Sequence, residues 1–363
     1  MPQSRRRLHR AQLVNTRPLN INTGVAAALV AALLFGASAP IAKWLLEDLS
    51  PWLLAGLFYL GSGLGLTAYR RITRARPVVL QRGELGWFAG AVLAGGVVGP
   101  VLLMFGLTAM PASAAALLLN AEGLLTALLA WFVFRENVDG RIALGMGAIA
   151  LGAVVLSWPQ EAQLTGSWPA LAVLGACLAW AIDNNLTRKV SLADATWIAA
   201  VKGIAAGSAN LALALALGNR WPAWTSTALA MGVGLLAYGV SLVLFVVAMR
   251  HLGTARTGAY FSVAPFFGAT LAVLTGEPLT VRLVAAGVLM AIGIGLHLTE
   301  SHEHEHAHAA LEHSHEHVHD EHHQHVHETA VAPGTRHTHA HRHEPMIHSH
   351  AHFPDAHHQG HTH

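Results

Sequence analysis

Phe132-Val-Phe-Arg-Glu136 closes one long apolar run, and 141 residues further on Val273-Leu-Thr-Gly-Glu277 closes another. The same shift carries Arg141 onto Arg282, Gly145 onto Ala286 and Gly152 onto Gly293, so a spacing of seven between small residues is kept. Self-similarity at a fixed period marks an internal duplication. Here it decides the fold, because each copy holds five apolar runs. An odd number of membrane crossings per copy forces the second copy to insert upside down, which gives an inverted repeat.

The runs lie near 22–43, 51–69, 85–109, 112–134, 141–158, 168–186, 194–217, 225–249, 256–275 and 280–298. A hydrocarbon core of about 30 Å needs roughly 20 helical residues, and these runs have that length. The breaks between them are short and rich in turn residues: Asp48 to Pro51, Pro111, Asp139-Gly140, Asn219 to Pro222 and Glu277-Pro278. Of 363 residues, 53% are hydrophobic and 12% charged, which excludes an ordinary soluble domain. The expected architecture is an all-α integral membrane protein of ten transmembrane helices in two inverted five-helix repeats. They occupy 22–158 and 168–298, between a basic N-terminus (1–21) and a disordered, histidine-rich tail (299–363).

Basic residues set the orientation, since short cytoplasmic loops hold the excess of Lys and Arg. With the N-terminus inside, sixteen of them fall on the cytoplasmic face, from Arg5 through the Arg70 to Arg82 loop to Arg256. Lys43, Arg220 and Arg282 fall outside. Ten spans return the tail to the cytoplasm, so the expected location is the cytoplasmic membrane, multi-pass, with both termini inside. Reading the first run as a cleaved signal peptide would leave nine spans and break this charge pattern. The single cysteine, Cys177, lies within a run, so no intrachain disulfide and no cysteine-based metal site is available.

The stretches Ala109-Met-Pro-Ala-Ser-Ala-Ala-Ala-Leu-Leu-Leu-Asn120 through Glu136, and His251-Leu-Gly-Thr-Ala-Arg-Thr-Gly-Ala-Tyr260 through Pro265 to Glu277, resemble the paired EamA domains of the drug/metabolite transporter superfamily. The resemblance covers about residues 20–300. It implies a ten-helix bundle that moves small metabolites by alternating access, often as an exporter. The second half keeps the expected Pro265, whereas the first has Glu122-Gly123 in that region, so the first half is expected either to bend less or to bind through Glu122.

Ionisable groups inside spans cost about 2.5 to 3.5 kcal/mol each and normally face a partner or a wet cavity. Glu122, with Asn120 nearby, is the deepest charge; it reads either as a substrate-contacting or proton-carrying carboxylate or as a protonated group bonded to a neighbouring helix. Asp183, followed by Asn184, and Lys202 lie at similar depth. They read as a structural ion pair, or as an anion site at Lys202 gated by Asp183. Tyr238 and Tyr260 are candidate cavity residues. Gly61 to Gly65, Gly95 to Gly99 and Gly203 to Gly207 match the small-xxx-small pattern of close helix contacts, and Gly95, Gly96, Gly99 and Pro100 together favour a loosened third span.

From residue 301 the composition changes. Residues 1–300 carry a net charge of +9 and the remainder −7, and 23 of the 26 histidines lie in the tail. They are His302, His304, His306, His308, His313, His315, His317, His319, His322, His323, His325 and His327, then His337, His339, His341, His343, His348, His350, His352, His357, His358, His361 and His363. Closely spaced imidazoles mixed with carboxylates suit Ni²⁺, Zn²⁺, Co²⁺ or Cu²⁺ with little selectivity. No cofactor is required by the bundle itself.

The expected function is a secondary transporter of a small solute with a metal-binding regulatory tail. A divalent-metal transporter, and a membrane-anchored metal sensor or buffer without transport, stand as alternatives. The partners expected are the lipid bilayer, a small-molecule or ion substrate and divalent metal ions, with a homodimer left open. No His-Glu-x-x-His, Gly-x-Ser-x-Gly or phosphate-loop motif points to an enzyme. The basic residues are already accounted for by orientation, so nothing points to nucleic acid.

Overall fold

The computed structural model describes residues 21–75, 77, 78, 80–134, 140–158, 167–187, 190, 194–252 and 254–298 of the bundle. It also describes 302–308, 311–317, 337–343 and 346–352 of the tail. Seven helical stretches are long and apolar enough to cross a bilayer: Thr23–Leu45, Pro51–Ile72, Leu85–Ala109, Ala112–Leu129, Trp168–Thr187, Ala195–Ala216 and Trp224–Met249. Three shorter apolar helices, Ala143–Ser157, Ala264–Leu274 and Val281–Leu296, fall where the fifth, ninth and tenth runs were expected. The protein is a multi-pass helical membrane protein. Large apolar side chains such as Leu33, Leu93, Leu144, Leu171 and Val288 are exposed, as a lipid-facing surface requires. Leu54, Leu57, Phe58, Met104, Leu107, Leu118 and Met290 fill the interior.

Several runs are broken inside, each for a local reason. The first divides into α1 (Ile21–Gly36) and α2 (Ser38–Leu45), because Pro40 has no N–H to give the Gly36 carbonyl. Next, α3 (Pro51–Ile72) starts from Ser50, whose hydroxyl accepts the Leu53 N–H at 3.3 Å. The third run is α4 (Leu85–Ala91), a π-helical turn (Val92–Val98) and α5 (Gly99–Ala109), with Pro100 at the start of α5. The fourth is α6 (Ala112–Leu118) and α7 (Ala121–Phe134).

The fourth run therefore does bend, without a proline at the break. Asn120 turns its amide onto the Leu117 carbonyl at 2.9 Å, supplying a side-chain donor where the helix ends. Then follow α8 (Gly140–Ser157), α9 (Trp168–Thr187) and α10 (Ala195–Ala216). The eighth run is α11 (Trp224–Gly234), a second π-helical turn (Leu235–Val240) and α12 (Ser241–Leu252). The last elements are α13 (Thr254–Phe261), α14 (Ala264–Leu274) and α15 (Val281–Leu298). A shift of 141 residues carries the first π-helical turn onto 233–239, overlapping the second, so the duplication extends to this irregularity.

Glycine allows the tightest contact. Gly63 and Gly203 place the backbones of α3 and α10 against each other, and a Cβ on Gly203 would lie 2.7 Å from the Gly63 Cα. Charged groups tie the ends. Lys43 donates to the Leu107 carbonyl at 2.6 Å and Arg282 to the Trp158 carbonyl at 2.9 Å, so each cation sits at a helix C-terminus, where the helix dipole favours it. Glu277, from the second half, caps α6 of the first: its two oxygens accept the Ala112 and Ser113 N–H groups at 2.6 and 2.9 Å. Glu136, its counterpart, lies outside the described residues.

The tail, Thr299–His363, forms a separate unit. Its described backbone is not the structureless chain that composition implied. The strands β1 (His302–His308) and β4 (Met346–His352) pair antiparallel, as do β2 (Leu311–His317) and β3 (His337–His343). The period-two His-X-His alternation is compatible with a strand. It sets His304 opposite His350, His306 opposite His348, His313 opposite His341 and His315 opposite His339. His319, His322, His323, His325, His327, His357, His358, His361 and His363 lie outside the described residues.

Asp194 caps α10. Its Oδ1 accepts the Thr196 and Trp197 N–H groups at 2.8 and 3.1 Å and pairs with Arg70 of α3 at 2.7 Å. Partial burial opposes its ionisation. Hydrogen bonds from Thr196 and Trp197 and the Arg70 guanidinium outweigh that and hold the carboxyl below its usual range. Asp194→Ala is expected to cost about 1 kcal/mol of stability at neutral pH. Because the folded-state pKa is lowered, this contribution is full above the unfolded value of about 3.9 and is lost as pH falls through the folded one. Thermal unfolding of wild type and variant in detergent should therefore show Tm values that converge in that acid range.

Candidate functional site

The third run positions the site. Pro100 has no N–H to offer the π-helical turn before it, and Asn210 of α10 donates its amide to the Gly96 carbonyl of that turn at 3.1 Å. The neighbouring Gly95 carbonyl accepts the Tyr59 hydroxyl at 2.7 Å and the Trp180 indole N–H at 2.9 Å. A Cβ on Gly95 would collide with the Asp183 carboxylate, so only glycine lets α9 come this close. Asp183 is buried there. One of its oxygens accepts the Thr187 hydroxyl at 3.0 Å, and the other is ion-paired with Lys202 of α10. The expected meeting of Asp183 and Lys202 thus takes place.

Beside this pair lies a cavity of about 340 Å³. Phe35 of α1, Tyr59 and Ser62 of α3 and Glu122 of α7 line it from the first half. Trp180 and Asn184 of α9, Lys202 and Gly203 of α10, Tyr238, Ser241 and Phe245 around the second π-helical turn, and Phe261 of α13 line it from the second. The Asn184 amide donates to Glu122 Oε1 at 2.9 Å and to the Thr126 hydroxyl at 3.3 Å, so one side chain joins α9 to α7 at the polar end.

Of the residues singled out in the sequence, Glu122, Asn184, Lys202 and Tyr238 line the cavity, with Asp183 immediately behind. Asn120 does not reach it. Its amide donates to the Leu117 carbonyl and meets the Met290 sulfur at 3.7 Å. Tyr260 is exposed and also lies outside the lining. Phe35, Tyr59, Ser62, Trp180, Phe245 and Phe261 were not anticipated. The available signal was helical spacing: Tyr59 with Ser62, Trp180 with Asn184, and Tyr238 with Ser241 and Phe245 recur at three, four and seven residues on otherwise aliphatic helices.

A polar-ended cavity shared by two repeats within a multi-pass bundle defines a membrane transport protein. The chain belongs to the EamA-like transporter family, which matches residues 22–158 and again 167–299. It is 27% identical over 292 residues to an uncharacterized transporter of Methanothermobacter thermautotrophicus, covering 74% of this chain and 84% of the relative. It is also 27% identical over 290 residues to a probable amino-acid metabolite efflux pump of Salmonella typhimurium, covering 73% of this chain and 91% of that one. A solved crystal structure shares the fold with a TM-score of 0.57 at 18% identity, covering 75% of this chain and 95% of its own.

Removing Lys202 leaves Asp183 buried without its cation, a loss of about 3 to 5 kcal/mol, whereas removing both charges together costs far less. Lys202→Ala should therefore lower Tm more than the double change Asp183→Ala with Lys202→Ala, as measured by thermal unfolding of the purified proteins.

Proposed function

We propose that the protein is a secondary transporter that exports a small organic solute by alternating access across the cytoplasmic membrane. It works through ten spans in two inverted repeats, with both termini in the cytoplasm. The observation that carries this reading is the cavity itself, whose lining comes from both repeats, so that rocking one against the other changes the side to which it opens. The efflux pump among the relatives supports an organic cargo. Glu122 is the carboxylate placed to take up and release a proton as access alternates, because it faces the cavity instead of a fixed cation.

The access cycle can be tested without knowing the cargo. In a Cys177→Ala background, Ser62→Cys in proteoliposomes should react with a membrane-impermeant maleimide added on either side. Labelling from one side alone would contradict alternating access.

A second reading gives divalent metal a part, and the observation favouring it is the tail, where the strand registers set histidine opposite histidine. Directly opposed positions of an antiparallel pair lie about 5 Å apart, and histidine as a residue type suits Ni, Co, Zn and Cu. Among the described residues of the bundle no three His, Cys, Asp or Glu side chains converge on an ion site, so on this reading the bundle keeps the organic cargo and the metal falls to the histidine-rich tail. In metal-challenged cells, cellular Ni, Co, Zn and Cu content should depend on residues 301–363 and be unaffected by Glu122→Gln. A metal whose content follows Glu122 would make metal the cargo, and elemental mass spectrometry reads the difference.

A further inference from the structure

The hydrogen-bonding groups of the cavity are unbalanced. Most of its donors are engaged within the protein: Tyr59 and Trp180 at the Gly95 carbonyl, Ser241 at the Ala31 carbonyl at 2.9 Å, Asn184 at Glu122 and Thr126, and one Lys202 N–H at Asp183. Ser62 adds one hydroxyl, which serves either way. Glu122 stands apart. One of its oxygens takes the Asn184 amide, and among the described residues it has no ion-pair partner. A solute entering this space meets a carboxylate with no ion-pair partner, while the cation beside it, Lys202, is already neutralised by Asp183.

The remaining wall is aromatic. Ring centroids follow one another from Phe245 to Phe261 at 5.0 Å, Phe261 to Phe35 at 5.5 Å, Phe35 to Tyr238 at 5.9 Å and Tyr238 to Tyr59 at 5.6 Å. Such a surface binds flat apolar bodies, and its ring faces attract positive charge. An ammonium group supplies what Glu122 lacks, an ion-pair partner that also brings N–H donors. A carboxylate head would compete with Asp183 for Lys202 and stand beside the like charge of Glu122.

We propose that the cargo is an organic amine carried as its ammonium ion, with the charged nitrogen at Glu122 and a flat apolar body along the wall from Phe245 to Tyr59. This deepens the transporter reading and rests on it.

The test uses full-length protein in lipid nanodiscs and isothermal titration calorimetry with three probes that share a benzyl body and differ in its charged end: phenethylammonium, phenylalanine and phenylacetate. Phenethylammonium should bind, phenylalanine should bind about tenfold or more weakly, and phenylacetate should not bind. Glu122→Gln should weaken phenethylammonium about tenfold or more, and Glu122→Asp should keep most of the affinity, which separates loss of charge from loss of folding. Phe261→Leu, which keeps the apolar volume and removes a ring, should weaken it less.

Phenylalanine or phenylacetate binding as tightly as the amine, amine affinity unchanged in Glu122→Gln, or no amine binding at all would overturn the assignment. Two-sided labelling of Ser62→Cys needs no cargo. An amine result that fails while labelling holds removes the cargo class and leaves the transporter standing.

Discussion

Asp183 and Lys202 neutralise each other between two helices that offer little else to a charge, and much of the bundle is arranged around that pair. Neither group is tolerable alone in an apolar surrounding. For the carboxylate to reach the lysine, α9 has to press against the third run at a residue with no side chain, which is Gly95. The same approach fixes the rotation of α9. Trp180 then meets the Gly95 carbonyl, and Asn184 is turned toward Glu122. On the other helix, the face that carries Lys202 continues through Gly203, whose contact with Gly63 locks α10 to α3 and brings Tyr59 and Ser62 to the cavity. Charge neutralisation, close glycine packing and the shape of the cavity are consequences of one constraint.

A second regularity is that backbone groups freed by an irregularity are met from elsewhere in the bundle. The Gly96 carbonyl, in the π-helical turn before Pro100, is taken by Asn210, and the N–H groups that open α6 are taken by Glu277. In hydrocarbon there is no water to do this, so a break in a helix has to be answered by protein. Both helper residues come from the opposite repeat. The two halves are therefore interlocked by their defects as well as by their surfaces, and π-helical turns lie at matching positions in the third helix of each half.

The duplication, the multi-pass class, the family and the meeting of Asp183 with Lys202 were legible in the sequence, because each rests on a strong local signal: apolar length, a repeated Glu, or two lone charges at equal depth. The aromatic wall was less so. On a helix that is apolar all round, Phe35 or Phe245 gives no contrast between a lipid-facing and a cavity-facing side, and only packing decides. Tyr260 shows the same ambiguity in reverse, since it reads as a lining residue and is exposed. The bend at Asn120 was hidden for another reason: the proline expected for a break is missing, and an asparagine replaces its effect by competing for a helix carbonyl. In the tail, composition argued for disorder and overrode the alternation that the strand pairs follow.

The bond from Asn210 to the Gly96 carbonyl has a consequence for biosynthesis. The two residues are 114 positions apart, and at about 5 to 20 residues per second a ribosome takes roughly 6 to 23 s to cover that distance. The third helix thus enters the membrane well before its partner exists. During that interval the Gly96 carbonyl depends on water or on the insertion machinery, so this contact between the halves waits for α10 to be made.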